Sequence, residues 1–221
     1  MRTPLRSYGR VKGRALKPNQ ARLIAERLPQ LALPGGSIDP TALAPNAAEA
    51  WLEIGFGGGE HMAAQAAARP AVLLLGVEPF LNGVASALAH IDRLGLQNVR
   101  LLQGDARELV PRLAPGSIAR VFVLFPDPWP KTRHHKRRLM QDDFIAALAV
   151  AVAPGGRLRF ATDWRAYAAW TLERMLGSPA WRWTAERAAD WRSPPADHVS
   201  TRYEAKALGD TPPIFLEFER R

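Results

Sequence analysis

Five carboxylates, Glu53, Glu78, Asp105, Asp127 and Asp163, each stand at or just beyond the end of a short apolar run. The first precedes a glycine loop, Gly55-Phe56-Gly57-Gly58-Gly59-Glu60. Such a loop lets the backbone approach a ligand closely before a helix begins. A dinucleotide fingerprint, G-x-G-x-x-G, would need glycine where this chain has Glu60. Glu53 and Glu60 together would repel a pyrophosphate, whereas a cationic ligand welcomes at least one of them. S-adenosylmethionine is such a ligand, with an ammonium, a sulfonium and no phosphate. Glu78 lies 23 positions beyond Gly55, near the spacing at which nucleotide-binding folds set a carboxylate on ribose hydroxyls. Asp105 can accept from an adenine amino group. Any one of these acids is equally well read as a helix cap or, for Glu78, as the residue before a helix-starting Pro79. Five at successive run ends favour a shared cleft.

The second chemical segment is Phe125-Pro126-Asp127-Pro128-Trp129-Pro130-Lys131-Thr132-Arg133-His134-His135-Lys136-Arg137-Arg138-Leu139. Three prolines in five residues fix the backbone and hold Asp127 and Trp129 at a cleft mouth. The cations that follow would deliver a polyanion beside it. Adjacent histidines in a basic run, with no third ligand nearby, make a poor metal site; His134 and His135 are expected to meet phosphate or solvent.

To position these groups the chain must form strands that end together. From Ala50 onward short apolar runs alternate with helical patterns, the mark of a parallel sheet covered by helices. The expected strands are 51–54, 72–77, 99–103, 120–125 and 157–161. Val84, Leu88 and Ile91 share one face of an expected helix, and another helix is expected near 166–176. Residues 181–187 and 214–219 alternate like an antiparallel pair at the sheet edge. The stretch between them, 188–213, reads as a long loop with one helical turn, long enough to suspect function. The expected domains are a basic arm and helix over residues 1–30, the helix near 19–28 with Asn19 as cap; a loop or linker over 31–49; and the main domain over 50–221.

Composition narrows the classes. At 221 residues, with 47% hydrophobic and 23% charged residues, the chain is that of an ordinary globular protein. No apolar run approaches the ~20 residues of a membrane helix. The absence of cysteine excludes disulfides, thiol catalysis and Cys-ligated metal, and fits a reducing, cytoplasmic setting. Of the net charge of +9, residues 1–30 carry +7 and the run from Lys131 to Arg138 carries +5, so the rest sums to −3. Cations gathered in two segments on a slightly acidic body are the footprint of a polyanion partner. The Arg-rich start lacks the apolar core of a secretory signal, and its Pro and Gly residues spoil a transit-peptide helix.

The chain resembles the bacterial tRNA (guanine-N7-)-methyltransferases. The resemblance rests on Arg6-Ser7-Tyr8-Gly9-Arg10, Glu53-Ile54-Gly55-Phe56-Gly57 and Gly76-Val77-Glu78-Pro79-Phe80, on the proline and basic segment, and on Thr162-Asp163-Trp164 and Thr201-Arg202-Tyr203-Glu204. It implies a Rossmann-like class I methyltransferase fold, with a mostly parallel seven-stranded sheet, helices on both faces and an antiparallel edge strand. It implies transfer of methyl from S-adenosylmethionine to N7 of a variable-loop guanosine in tRNA. By the resemblance Glu53, Gly55, Gly57, Glu78, Asp105 and Asp127 bind the cofactor, with Asp127 also catalytic. Lys131, Asp163, Thr201, Arg202, Tyr203 and Glu204 bind the substrate, and Arg133, His134, His135, Lys136, Arg137 and Arg138 contact RNA. Neither a metal, a membrane nor an obligate protein partner is expected. Three readings compete: within the same class, an amino-group methyltransferase holding an exocyclic amine with Asp127, Pro128 and Trp129; from another class, a non-catalytic RNA-binding module, which would bind no cofactor; and, disfavoured by the carboxylates beside the glycine loop, a dinucleotide-dependent oxidoreductase.

Overall fold

The computed structural model describes residues 13–201, 203–206 and 208–221. The arm motif Arg6 to Arg10, and Arg202, lie outside them. Contacts divide the chain into two compact units, one ending at Ala114 and the other beginning at Pro115.

The first unit opens with helix α1 (Pro18–Glu26), α2 (Leu28–Leu31) and α3 (Pro40–Leu43). Asn19 is not the cap of α1 but a residue within it. Pro18 occupies the first turn, where its missing N–H costs nothing, and Lys17 takes the cap position. The expected linker is packed rather than free, with Leu31, Leu33 and Ile38 buried. Then follow strand β1 (Glu49–Ile54), helix α4 (Glu60–Ala68), β2 (Val72–Glu78), α5 (Leu81–Leu94), β3 (Val99–Gln103) and α6 (Ala106–Leu109). The apolar face of α5 is buried as its spacing requires, with Val84, Leu88 and Ile91 all inside. β1, β2 and β3 pair in parallel, with Ile54 opposite Val77 and Glu78 opposite Gln103. That register levels their carboxyl ends, so the glycine loop, Glu78 and Asp105 all emerge at one edge.

The second unit holds β4 (Ile118–Leu124), α7 (Asp142–Ala151), β5 (Val152–Thr162), α8 (Arg165–Gly177), β6 (Trp181–Trp183), α9 (Ala189–Arg192) and β7 (Ile214–Arg220). β4 and β5 are parallel, with Leu124 opposite Ala161; β7 is antiparallel to both β5 and β6, with Thr162 opposite Ile214. Phe125, Asp163 and the chain entering β7 therefore meet at a common edge. The expected strand over 181–187 stops at Trp183. The reason is local: one Asp190 carboxylate oxygen accepts from the backbone N–H groups of both Glu186 and Arg187, at 3.0 Å each, and turns the chain away. The core of this unit is aromatic, built on Phe122, Phe160, Tyr167, Phe215 and Phe218. Among the described residues, seven strands form a mixed sheet.

Candidate active site

In the first unit, Gly57 adopts a left-handed φ of +53°, and nothing lies within 4 Å of where its Cβ would stand. The loop is therefore an open cradle with bare backbone facing it. Its backbone N–H donates to Glu78 Oε2 at 2.9 Å, while Phe80 N–H donates to Glu78 Oε1 at 2.8 Å. Glu78 thus ties the glycine loop to the start of α5. Gly83 on α5 presses from below: a Cβ there would lie 2.5 Å from the Gly57 carbonyl oxygen. Glu53 is 2% exposed, and its Oε2 lies 2.6 Å from Nδ1 of His61, itself 1% exposed. Asp105 caps α6 through Arg107 N–H and also receives the Arg107 guanidinium on both oxygens.

In the second unit the chain leaves β4 under strain. Phe125 and Trp129 both take positive φ, +50° and +44°, a conformation costly for bulky residues and retained where the surroundings enforce it. Arg138 supplies the enforcement. It is 3% exposed, its Nε donates to the Pro128 carbonyl at 2.9 Å, and its guanidinium lies 4.9 Å from the Tyr167 ring centroid and 5.0 Å from that of Trp170. Tyr167 OH in turn accepts from Leu139 N–H at 3.1 Å, and burial pushes its pKa up. Asp127, between Pro126 and Pro128, is exposed as a residue, yet the protein around its carboxyl desolvates it and raises its pKa.

Beyond β5, Asp163 is 4% exposed, and both its carboxylate oxygens are buried with no hydrogen-bond partner among the described residues. Leaving such a group unpaired is costly, so its geometry suits an incoming donor. Gly209 packs against it so closely that no Cβ fits, and the Asp163 carbonyl accepts from Asp210 N–H at 2.9 Å. Tyr203 stacks at a tilt on Phe125, centroids 5.9 Å apart. Its pKa is raised by burial and then by the charges of Asp163 and Asp127. Glu204 is held by His198 Nε2 at 2.8 Å, and Thr201 Oγ1 accepts from Glu204 N–H.

The basic run forms a 3₁₀ turn over Thr132–Arg137. Lys131, Arg133 and Lys136 are exposed. Arg137 covers the Trp129 ring at 4.9 Å, and His134 meets the same ring edge-on. His134's pKa is lowered by desolvation and by the surrounding Arg137, Arg133, Lys131 and Lys136 charges. His135 packs on Trp170. Arg138, grouped in sequence with the cations expected to contact RNA, is buried instead. Sequence reasoning missed its structural duty, together with His61, Gly83 and Gly209. An acid-to-His spacing of eight across a loop, and a glycine inside a helix, are signals too common to single out. Among the described residues no cluster of three or more His, Asp or Glu is placed to hold a metal ion.

A family model described as "Putative methyltransferase" matches residues 47–216. The chain is 57% identical to a tRNA (guanine-N(7)-)-methyltransferase of Caulobacter sp. (strain K31), over 98% of this chain and 96% of that one. It is 49% identical to the enzyme of that name from Hyphomonas neptunium, over 98% of this chain and all of that one. The chain belongs to the tRNA (guanine-N(7)-)-methyltransferase family. Among solved structures it resembles a 16S rRNA (adenine(1408)-N(1))-methyltransferase from Catenulisporales acidiphilia with its cosubstrate, TM-score 0.59 at 20% identity, over 83% of this chain and 92% of that one. It also resembles an rRNA methylase from Streptococcus thermophilus, TM-score 0.52 at 14% identity, over 82% and 93%. These likenesses give the fold, Rossmann-like α/β.

The cofactor of the tRNA (guanine-N(7)-)-methyltransferase family is S-adenosylmethionine, and the open cradle of the first unit is the candidate place for it. The donor set fits. A buried anion, Glu53, suits the ammonium; bare loop backbone admits close approach; Glu78 and Asp105 offer acceptors for ribose and adenine.

Proposed function

We propose that this protein transfers a methyl group from S-adenosylmethionine to N7 of a variable-loop guanosine in tRNA. The observation that carries the reading is near-full-length identity of 49–57% to enzymes of that one name; the partnerless Asp163 carboxylate gives it a chemical anchor.

The cofactor supplies an electrophilic methyl on a sulfonium. Guanine N7 already carries an in-plane lone pair, so no base is needed to generate the nucleophile. The protein's task is to hold acceptor and donor in line, a matter of proximity. Asp163 accepts from the guanine N1–H and exocyclic amine, a pairing adenine cannot reproduce. Tyr203 and Trp129 offer faces on which a base stacks. As N7 becomes cationic, the Asp127 carboxylate stabilises the developing charge. Lys131, Arg133, Lys136 and Arg137 hold the tRNA backbone, while Thr201 and Glu204 shape the substrate loop. Glu53, Gly55, Gly57, Glu78 and Asp105 hold the cofactor.

The test is transfer of radiolabelled methyl to unmodified tRNA, with the variable-loop guanosine replaced by adenosine as control. Label on the guanosine tRNA alone supports the assignment. Absence of label from a preparation that binds tRNA would leave the non-catalytic RNA-binding module.

A further inference from the structure

Glu53 does not stand alone in its buried position. His61 and Gln65 on α4, and Arg69 just beyond its last residue, follow one another at intervals of four, so the three lie along one stripe running the length of the helix. Arg69 Nη1 approaches Gln65 Oε1 at 2.6 Å. A guanidinium can only donate, so Gln65 turns its oxygen toward Arg69 and its NH₂ toward His61. That NH₂ lies 3.2 Å from His61 Nε2. An NH₂ can only donate, so Nε2 is the unprotonated nitrogen and accepts. The ring proton then sits on Nδ1, which faces Glu53 Oε2 at 2.6 Å. The Arg69 donor orients Gln65, the Gln65 donor orients His61, and the His61 donor ends the chain on a buried Glu53 carboxylate oxygen, which accepts. The direction is set without reference to any ligand.

From this we infer that His61 is a positioning residue for cofactor binding: as the neutral Nδ1–H tautomer, oriented by Gln65 and Arg69, it locks the Glu53 carboxylate in the pose that receives the ammonium of S-adenosylmethionine. The inference rests on the assignment of Glu53 to that ammonium. A neutral donor suits this task better than an imidazolium. It orients the carboxylate and leaves its full negative charge for the ligand, where a cation would already have neutralised it.

Two ligands separate positioning from general damage. S-adenosylhomocysteine carries the ammonium, whereas 5′-methylthioadenosine keeps the adenosine and thioether and lacks it. With binding measured calorimetrically on the full chain, His61→Leu is expected to weaken S-adenosylhomocysteine about tenfold or more, the worth of a hydrogen bond to a charged group. It should leave methylthioadenosine within about twofold. His61→Asn, which keeps a donor near the Nδ1 position, should recover most of the loss. Nitrogen-15 NMR of the wild-type imidazole should show the proton on Nδ1 and none on Nε2. Equal weakening of both ligands, weakening of neither, or a proton on Nε2 would overturn the inference. Glu53→Gln separates the two claims. If it too weakens only S-adenosylhomocysteine while His61→Leu does not, the relay fails and the Glu53 assignment stands. If Glu53→Gln leaves both ligands unaffected, the assignment itself fails and takes the relay with it.

Discussion

Asp127 has no hydrogen-bond partner among the described residues and a pKa raised by the protein packed around its carboxyl. If its charge stabilises cationic guanine, turnover needs the anion. Activity should be full well above the raised pKa and fall as pH drops through it, at a higher pH than a free aspartate near 3.9 would give. A rate profile of the wild-type enzyme that stays flat until the ordinary aspartate range would remove the charge role. Asp127→Asn keeps the shape and loses the charge. It should lower kcat by about tenfold to a thousandfold, as loss of one stabilising group does, with cofactor affinity little altered in a calorimetric titration. Asp163, likewise without a hydrogen-bond partner among the described residues, differs in being buried. Asp163→Asn should raise KM for tRNA and relax the preference for guanosine over adenosine at the target position, read by methyl transfer to the two tRNAs.

At the scale of elements, two devices set the site. Gly83 lets α5 sit directly under the glycine loop. Gly83→Ala, harmless by helix propensity, must push the Gly57 carbonyl away, so affinity for S-adenosylhomocysteine should fall about tenfold or more while thermal unfolding shows a cooperative, folded protein. The long segment before β7 is held to the sheet by Asp197, which bridges Arg120 at 3.0 Å and the buried Arg159 at 2.8 Å. Burial alone would raise the Asp197 pKa, but the hydrogen bond and charges of Arg159 and Arg120 outweigh it and leave it lowered. A folded pKa below the unfolded one means stability present above about 3.9 and lost as pH falls through the folded value. Asp197→Asn should cost about 1–3 kcal/mol at neutral pH, discounted from a fully buried pair because the side chain is partly exposed. It should also quicken amide exchange in residues 193–206. The strands and their terminal acids were legible in sequence because parallel strands are short, apolar and end where ligands bind. The bracing was not. Arg138 reads like its neighbours in a cationic run, and only the fold reveals Tyr167 and Trp170 beneath it. The alternation that extended the edge strand to Arg187 was real, but a side chain four residues on captured its amides.

For the whole molecule, charge decides encounter. The exposed Lys131, Arg133 and Lys136 stand together on one turn, while Arg138 is spent inside. Neutralising Arg133 and Lys136 together should weaken tRNA binding and reduce the slope of log affinity against log salt by about one unit for each lost phosphate contact. Filter binding across a salt series reads this directly; an unchanged slope would return the turn to a solvated face. Trp129 carries a different consequence. Its backbone sits where glycine is at ease and tryptophan is not. Trp129→Gly should therefore melt higher than Trp129→Ala, by about 1 kcal/mol of relieved backbone cost, although glycine is usually the poorer residue. Backbone strain and side-chain packing thus pull position 129 in opposite directions: glycine relieves the first and loses the contacts that the indole makes with Arg137 and His134.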